Sequence, residues 1–85
     1  MNKFGFVKAI ADKNGISIWE AYRYVNSVLD MLRVLLADGA KIEIGGFGTF
    51  EVLSNLRGMD IPVFKAAKPL KQVLNTKNTN RRKEH

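Results

Sequence analysis

Residues 18 to 38 constrain the fold more than any other stretch. Ile18, Tyr22, Val25, Leu29, Leu32 and Leu36 follow one another at steps of three and four, the spacing of one helix face. Ala21, Val28 and Leu35 lie beside that stripe, and Met31 and Val34 widen it until a narrow polar strip remains near the C-terminal end. A surface helix needs one apolar stripe to hold it against its own domain. A chain of 85 residues, near the lower limit for a self-sufficient core, cannot cover this helix from both sides. The helix is therefore expected to pair with a second copy, with Tyr22, Val25, Val28, Leu29, Leu32 and Leu36 at the interface and in the core.

The boundaries of this helix are written locally. Ser17-Ile18-Trp19-Glu20 has the form of a capping box, and Gly39 suits the left-handed position after a helix end. Upstream, Asn2 can cap a first helix running to about Lys13, with Phe6, Val7, Ile10 and Ala11 on its apolar side and Asn14-Gly15 as its stop.

Downstream the period changes from helix to strand. Ile42 and Ile44 alternate with Lys41 and Glu43, and Phe50 and Val52 continue the same apolar face after Gly45, Gly46 and Gly48, so a hairpin is expected. Glycine takes positive φ without steric cost, which suits a tight reversal, and bare backbone N–H groups there could approach a phosphate. Ser54 to Gly58 reads as the next turn, and Ile61 to Lys65 as a third strand that Pro62 confines to an edge or a strand start. Pro69 opens a short third helix that buries Leu70, Val73 and Leu74. Phe50 and Phe64 lie within apolar strand patterns and are expected in the core. Residues 1–75 thus form one α+β domain, two helices followed by a three-stranded antiparallel sheet and a short helix, while 76–85 are expected to be a disordered basic tail.

The formal charge of +6 is unevenly placed. Residues 1 to 60 carry seven bases and seven acids; the last 25 carry seven bases and one acid, Glu84. That asymmetry points to a polyanionic partner, nucleic acid before membrane. Lys65, Lys68 and Lys71, spaced by three around a helix start with no acid among them, are candidate phosphate contacts, with Lys77, Arg81, Arg82 and Lys83 following in the tail. The chain has no cysteine, and its one histidine is His85, so no metal site, cofactor or catalytic constellation is expected. With neither a membrane-length apolar run nor a signal-peptide profile near the N-terminus, a cytoplasmic location is the expectation.

These residues resemble the bacterial HU/IHF family of dimeric DNA-binding proteins. The resemblance rests on Met-Asn-Lys at the N-terminus, the Ser17 helix start, Gly46-Phe47-Gly48-Thr49-Phe50-Glu51-Val52, Pro62 to Lys71, and Val73-Leu74-Asn75. It implies an intertwined homodimer whose second helices and strands form a saddle that grips double-stranded DNA by its phosphates, associated with the nucleoid. It also implies that Lys65, Lys68 and Lys71 lie on the saddle floor, with Lys3 and the backbone of Gly46 and Phe47 nearby. In that family two long β-arms reach around the duplex, and a proline at each tip wedges between base pairs. Here only Leu53 to Ile61 separate Val52 from Pro62. The segment is shorter by about fifteen residues, enough to remove most of a two-stranded arm with its wedge and leave a compact hairpin in which Arg57 is the remaining contact. The reading is a largely sequence-independent DNA-binding protein that kinks DNA weakly or not at all. The alternative is an interaction protein that forms heterodimers with, or antagonises, a full-length family member.

Overall fold

The computed structural model describes residues 1–77 and contains three helices and three strands, the α+β order expected. The chain divides into two compact units, Met1–Val34 and a second that begins at Leu35.

Helix α1 spans Lys3–Asn14. Asn2 caps it, its side-chain oxygen accepting from the Gly5 N–H at 2.9 Å. Gly15, at φ 63°, ends it in the left-handed conformation with its N–H donating to the Ala11 carbonyl. Helix α2 spans Ile18–Ala37. The serine half of the expected capping box is made, the Glu20 N–H donating to Ser17 Oγ at 3.1 Å. At the other end Gly39 takes φ 83°, its N–H donates to the Leu36 carbonyl, and the Ala40 N–H donates to the Leu35 carbonyl. That pair of bonds is a Schellman motif, which satisfies carbonyls that a helix end leaves open.

The first unit buries Val7, Ala11, Ala21 and Val25, with Ile10, Ile16, Tyr22 and Leu29 packed against them. The buried residues are all alanine or valine, so the closed core is thin. Phe6, expected on the inner side of α1, is half exposed. On α2, Val28, Met31 and Val34 are 59%, 56% and 55% exposed, so an apolar flank stays open to solvent in the single chain.

In the second unit, β1 (Ile42–Ile44), β2 (Gly48–Ser54) and β3 (Asp60–Ala66) form one antiparallel sheet in the order β1-β2-β3. Ile42 faces Phe50, and Phe50 faces Phe64, which puts the apolar residues of all three strands on one face. Glu43, Thr49, Glu51, Val63 and Lys65 occupy the other face, with Leu53 opposite Ile61 farther along. Phe47, Phe50 and Phe64 form a ring cluster with centroids 4.8 to 6.4 Å apart. The single chain leaves this cluster only partly covered. Phe47 and Phe64 remain exposed, because three rings on a three-stranded sheet cannot cover one another.

The β2–β3 connection is a complete tight turn. The Asn55 N–H donates to the Met59 carbonyl, the Gly58 N–H donates to the Asn55 carbonyl, and Gly58 takes φ 77°. Asn55 Oδ1 also accepts from the N–H groups of Arg57 and Met59, and Ser54 Oγ donates to Asp60 across the strand ends at 2.7 Å. The short hairpin is thus encoded by its own turn chemistry. Helix α3 covers Lys68–Lys77, two residues past the boundary expected at Asn75, so Thr76 and Lys77 are helical. The rest of the expected tail, with Arg81, Arg82 and Lys83, lies outside the described residues.

Candidate functional site

The glycine turn, the end of β3 and the start of α3 belong to one piece of structure. Gly46 alone among the three turn glycines takes positive φ, at 82°. The Phe47 N–H donates to the Ile44 carbonyl, and the Phe47 carbonyl accepts from the Ala67 N–H at 2.9 Å. This second bond ties the turn to the residue just before α3. The first bond commits the Phe47 N–H to the turn.

Gly48 serves a different purpose from the reversal expected of it. A Cβ there would lie 2.5 Å from the Phe64 ring and 2.6 Å from the Lys65 carbonyl oxygen. Glycine at this position lets β3 and its aromatic ring close directly onto β2.

Lys65, Lys68 and Lys71 are all exposed, on the last turn of strand into helix. They are not equivalent. Lys68 opens α3 and Lys71 follows it by three, and among the described residues neither forms an ion pair with an acid. Both stand where the free N–H groups and partial positive charge of a helix start add to their own charge. Lys65 does have an acidic neighbour: its Nζ is 3.1 Å from Glu51 Oε1, an acid fourteen positions earlier that β2–β3 pairing brings alongside. Arg57 sits in the hairpin turn and is exposed, and Lys3 opens α1 in the other unit, also exposed. Trp19 and Tyr24, on α2, are exposed at 78% and 58%.

Among the described residues no group of three His, Cys, Asp or Glu side chains could hold a metal ion, and no helix is long and apolar enough to cross a membrane.

Residues 1–57 match the family model described as "Bacterial DNA-binding protein". The chain is similar to the SPbeta prophage-derived DNA-binding protein HU 2 of Bacillus subtilis (strain 168), 33% identical over 92 residues that cover 91% of this chain and all of the relative. It is also similar to DNA-binding protein HU of Geobacillus stearothermophilus, 29% identical over 87% of this chain and 99% of the relative. The solved structure of HU from Thermotoga maritima superposes with a TM-score of 0.76 at 32% identity, covering 87% of this chain and 98% of that one. The alignment with the Bacillus relative spans 92 positions against 85 residues in this chain, so the relative carries residues that this chain lacks. From its capped first helix to the turn that closes its hairpin, this chain belongs to the bacterial DNA-binding protein family that includes HU.

Proposed function

We propose that the chain works as a homodimer that holds double-stranded DNA by its phosphates, with little regard to base sequence and little kinking. The observation that carries this reading is the pair Lys68 and Lys71, exposed at the start of α3 and without acidic partners among the described residues, in a chain whose relatives are named as DNA-binding proteins. Contacts of that kind fix a protein on the duplex without reading its bases. Weak kinking is supported by the hairpin, which ends at Asn55–Gly58 and carries neither an extended arm nor a proline at its tip.

Salt dependence tests the phosphate contacts. Lys68 and Lys71 from two protomers give four neutralised phosphates, for which the logarithm of affinity falls against the logarithm of salt with a slope of about −3.6, before any share from the tail. A slope near zero overturns the reading. Fluorescence energy transfer between the ends of a duplex of about 35 base pairs, under the same salt, measures the bend, and strong kinking by this chain alone would count against the short-hairpin argument.

Dimer formation is supported by the open flank of α2. Val28 is 59% exposed in the single chain, so Val28→Glu costs an isolated protomer little. Across a dimer interface the same carboxylate would be buried without a partner. Sedimentation is expected to show the wild type as a dimer and Val28→Glu as a monomer or an unfolded chain; an unchanged dimer would refute the assignment of this face.

A further inference from the structure

The polar face of the sheet holds acids and bases in nearly equal measure, arranged around one carboxylate. Glu51 lies on the central strand with its side chain 13% exposed, the least accessible charged group in these pairs. Oε1 lies 3.1 Å from Lys65 Nζ, and Oε2 lies 3.9 Å from Lys41 Nζ, which is itself 3.6 Å from Glu43. Register explains the first contact. Thr49 is opposite Lys65 and Glu51 opposite Val63, so Lys65 reaches its acid along the diagonal of one face. Two bases and two acids leave this face electrically neutral, whereas Lys68 and Lys71 take no part in it.

We propose that Glu51 is a built-in rival of the DNA phosphate for Lys65, and so sets how much the sheet contributes to binding. The inference rests on the phosphate-binding reading above and concerns the regulation of that same site. A carboxylate that is mostly covered by protein is screened less by salt than one in open solvent, so it holds its lysine under conditions in which exposed pairs fade. A phosphate oxygen that takes Lys65 must displace Oε1. Lys41 makes the exchange feasible, since the carboxylate freed from Lys65 keeps a second cation on its other oxygen. Until that exchange occurs, the α3 lysines hold the duplex and the sheet stays idle.

Glu51→Gln removes the charge and keeps the shape. Binding of a duplex by fluorescence anisotropy across a salt series is expected to tighten by about fivefold at moderate salt, and the slope to become more negative by about 1.8 as two lysines per dimer are released to phosphate. Lys65→Gln alone is expected to leave the slope within about 0.5 of wild type, and adding Glu51→Gln to it should recover little of the gain. Equal or weaker binding by Glu51→Gln at an unchanged slope, or the full gain in the absence of Lys65, overturns the proposal. Circular dichroism and sedimentation check that the variants fold and assemble. If Glu51→Gln does not fold, Lys65→Gln decides alone: a slope flatter by about 1.8 would mean that Lys65 is already on phosphate in the wild type. A steep wild-type slope combined with no effect of Glu51→Gln refutes this inference and leaves phosphate binding standing; a flat wild-type slope refutes both.

Discussion

Gly48→Ala is expected to destabilise the protein by about 2–3 kcal/mol, the cost of forcing an extra methyl group into a closed contact. The new Cβ would meet the Phe64 ring at 2.5 Å and the Lys65 carbonyl oxygen at 2.6 Å. A ring can turn aside. A backbone oxygen moves only with its strand, so β2 and β3 must part where Gly48 faces Ala66. For a domain of this size each kcal/mol lowers the melting temperature by about 4–8 °C, which puts the loss at about 10–20 °C at fixed protein concentration. Gly46→Ala is the control. Gly46 sits at φ 82° with open space around it, so its substitution carries only the left-handed backbone penalty of about 1–2 kcal/mol. Calorimetry that placed Gly48→Ala within about 3 °C of wild type, or above Gly46→Ala, would refute the packing role assigned to this glycine.

The double substitution Lys68→Glu, Lys71→Glu is expected to weaken duplex binding by about 100-fold or more and to flatten the salt dependence, since four cations of the proposed dimer become four anions. The fold should survive. Both residues are exposed at the start of α3, where negative charge is favoured by the helix dipole, so any change in helix stability is small and favourable. Loss of binding with an unchanged circular dichroism spectrum therefore isolates the phosphate contact from folding. Affinity within about threefold of wild type would remove these lysines from the interface.

Much of this could be read from sequence where the responsible chemistry is local. Asn2, Ser17 and Gly39 each act on a backbone group within three or four residues, and all three helix ends fall where those residues place them. The sheet was legible because alternation from Ile42 to Val52 fixes which face is apolar, and the register follows once the turn is placed. The three glycines, by contrast, look alike in sequence and act differently in space. Gly46 bends the chain through positive φ, whereas Gly48 makes room for Phe64, sixteen positions away, and only the β2–β3 pairing reveals this. Lys65 was concealed for the same reason. Its partner Glu51 lies fourteen positions earlier and becomes a neighbour only through the sheet. The exposure of Phe47 and Phe64 was also hidden, because an apolar pattern specifies that a face will be covered without specifying which chain covers it.

The Asn55–Gly58 turn bears on the order of events during folding. It closes a hairpin whose paired residues, from Ser54 and Asp60 outward, are near neighbours in sequence, so the contacts form with little loop entropy to overcome. Hairpins form in about 1–10 μs, whereas two chains meet on a timescale set by their concentration, from milliseconds upward. In the proposed dimer the sheet is therefore ready long before its partner arrives, with the Phe47 and Phe64 rings still open to water. Encounter between chains, and not formation of the hairpin, then sets the rate of folding, and dilution slows it.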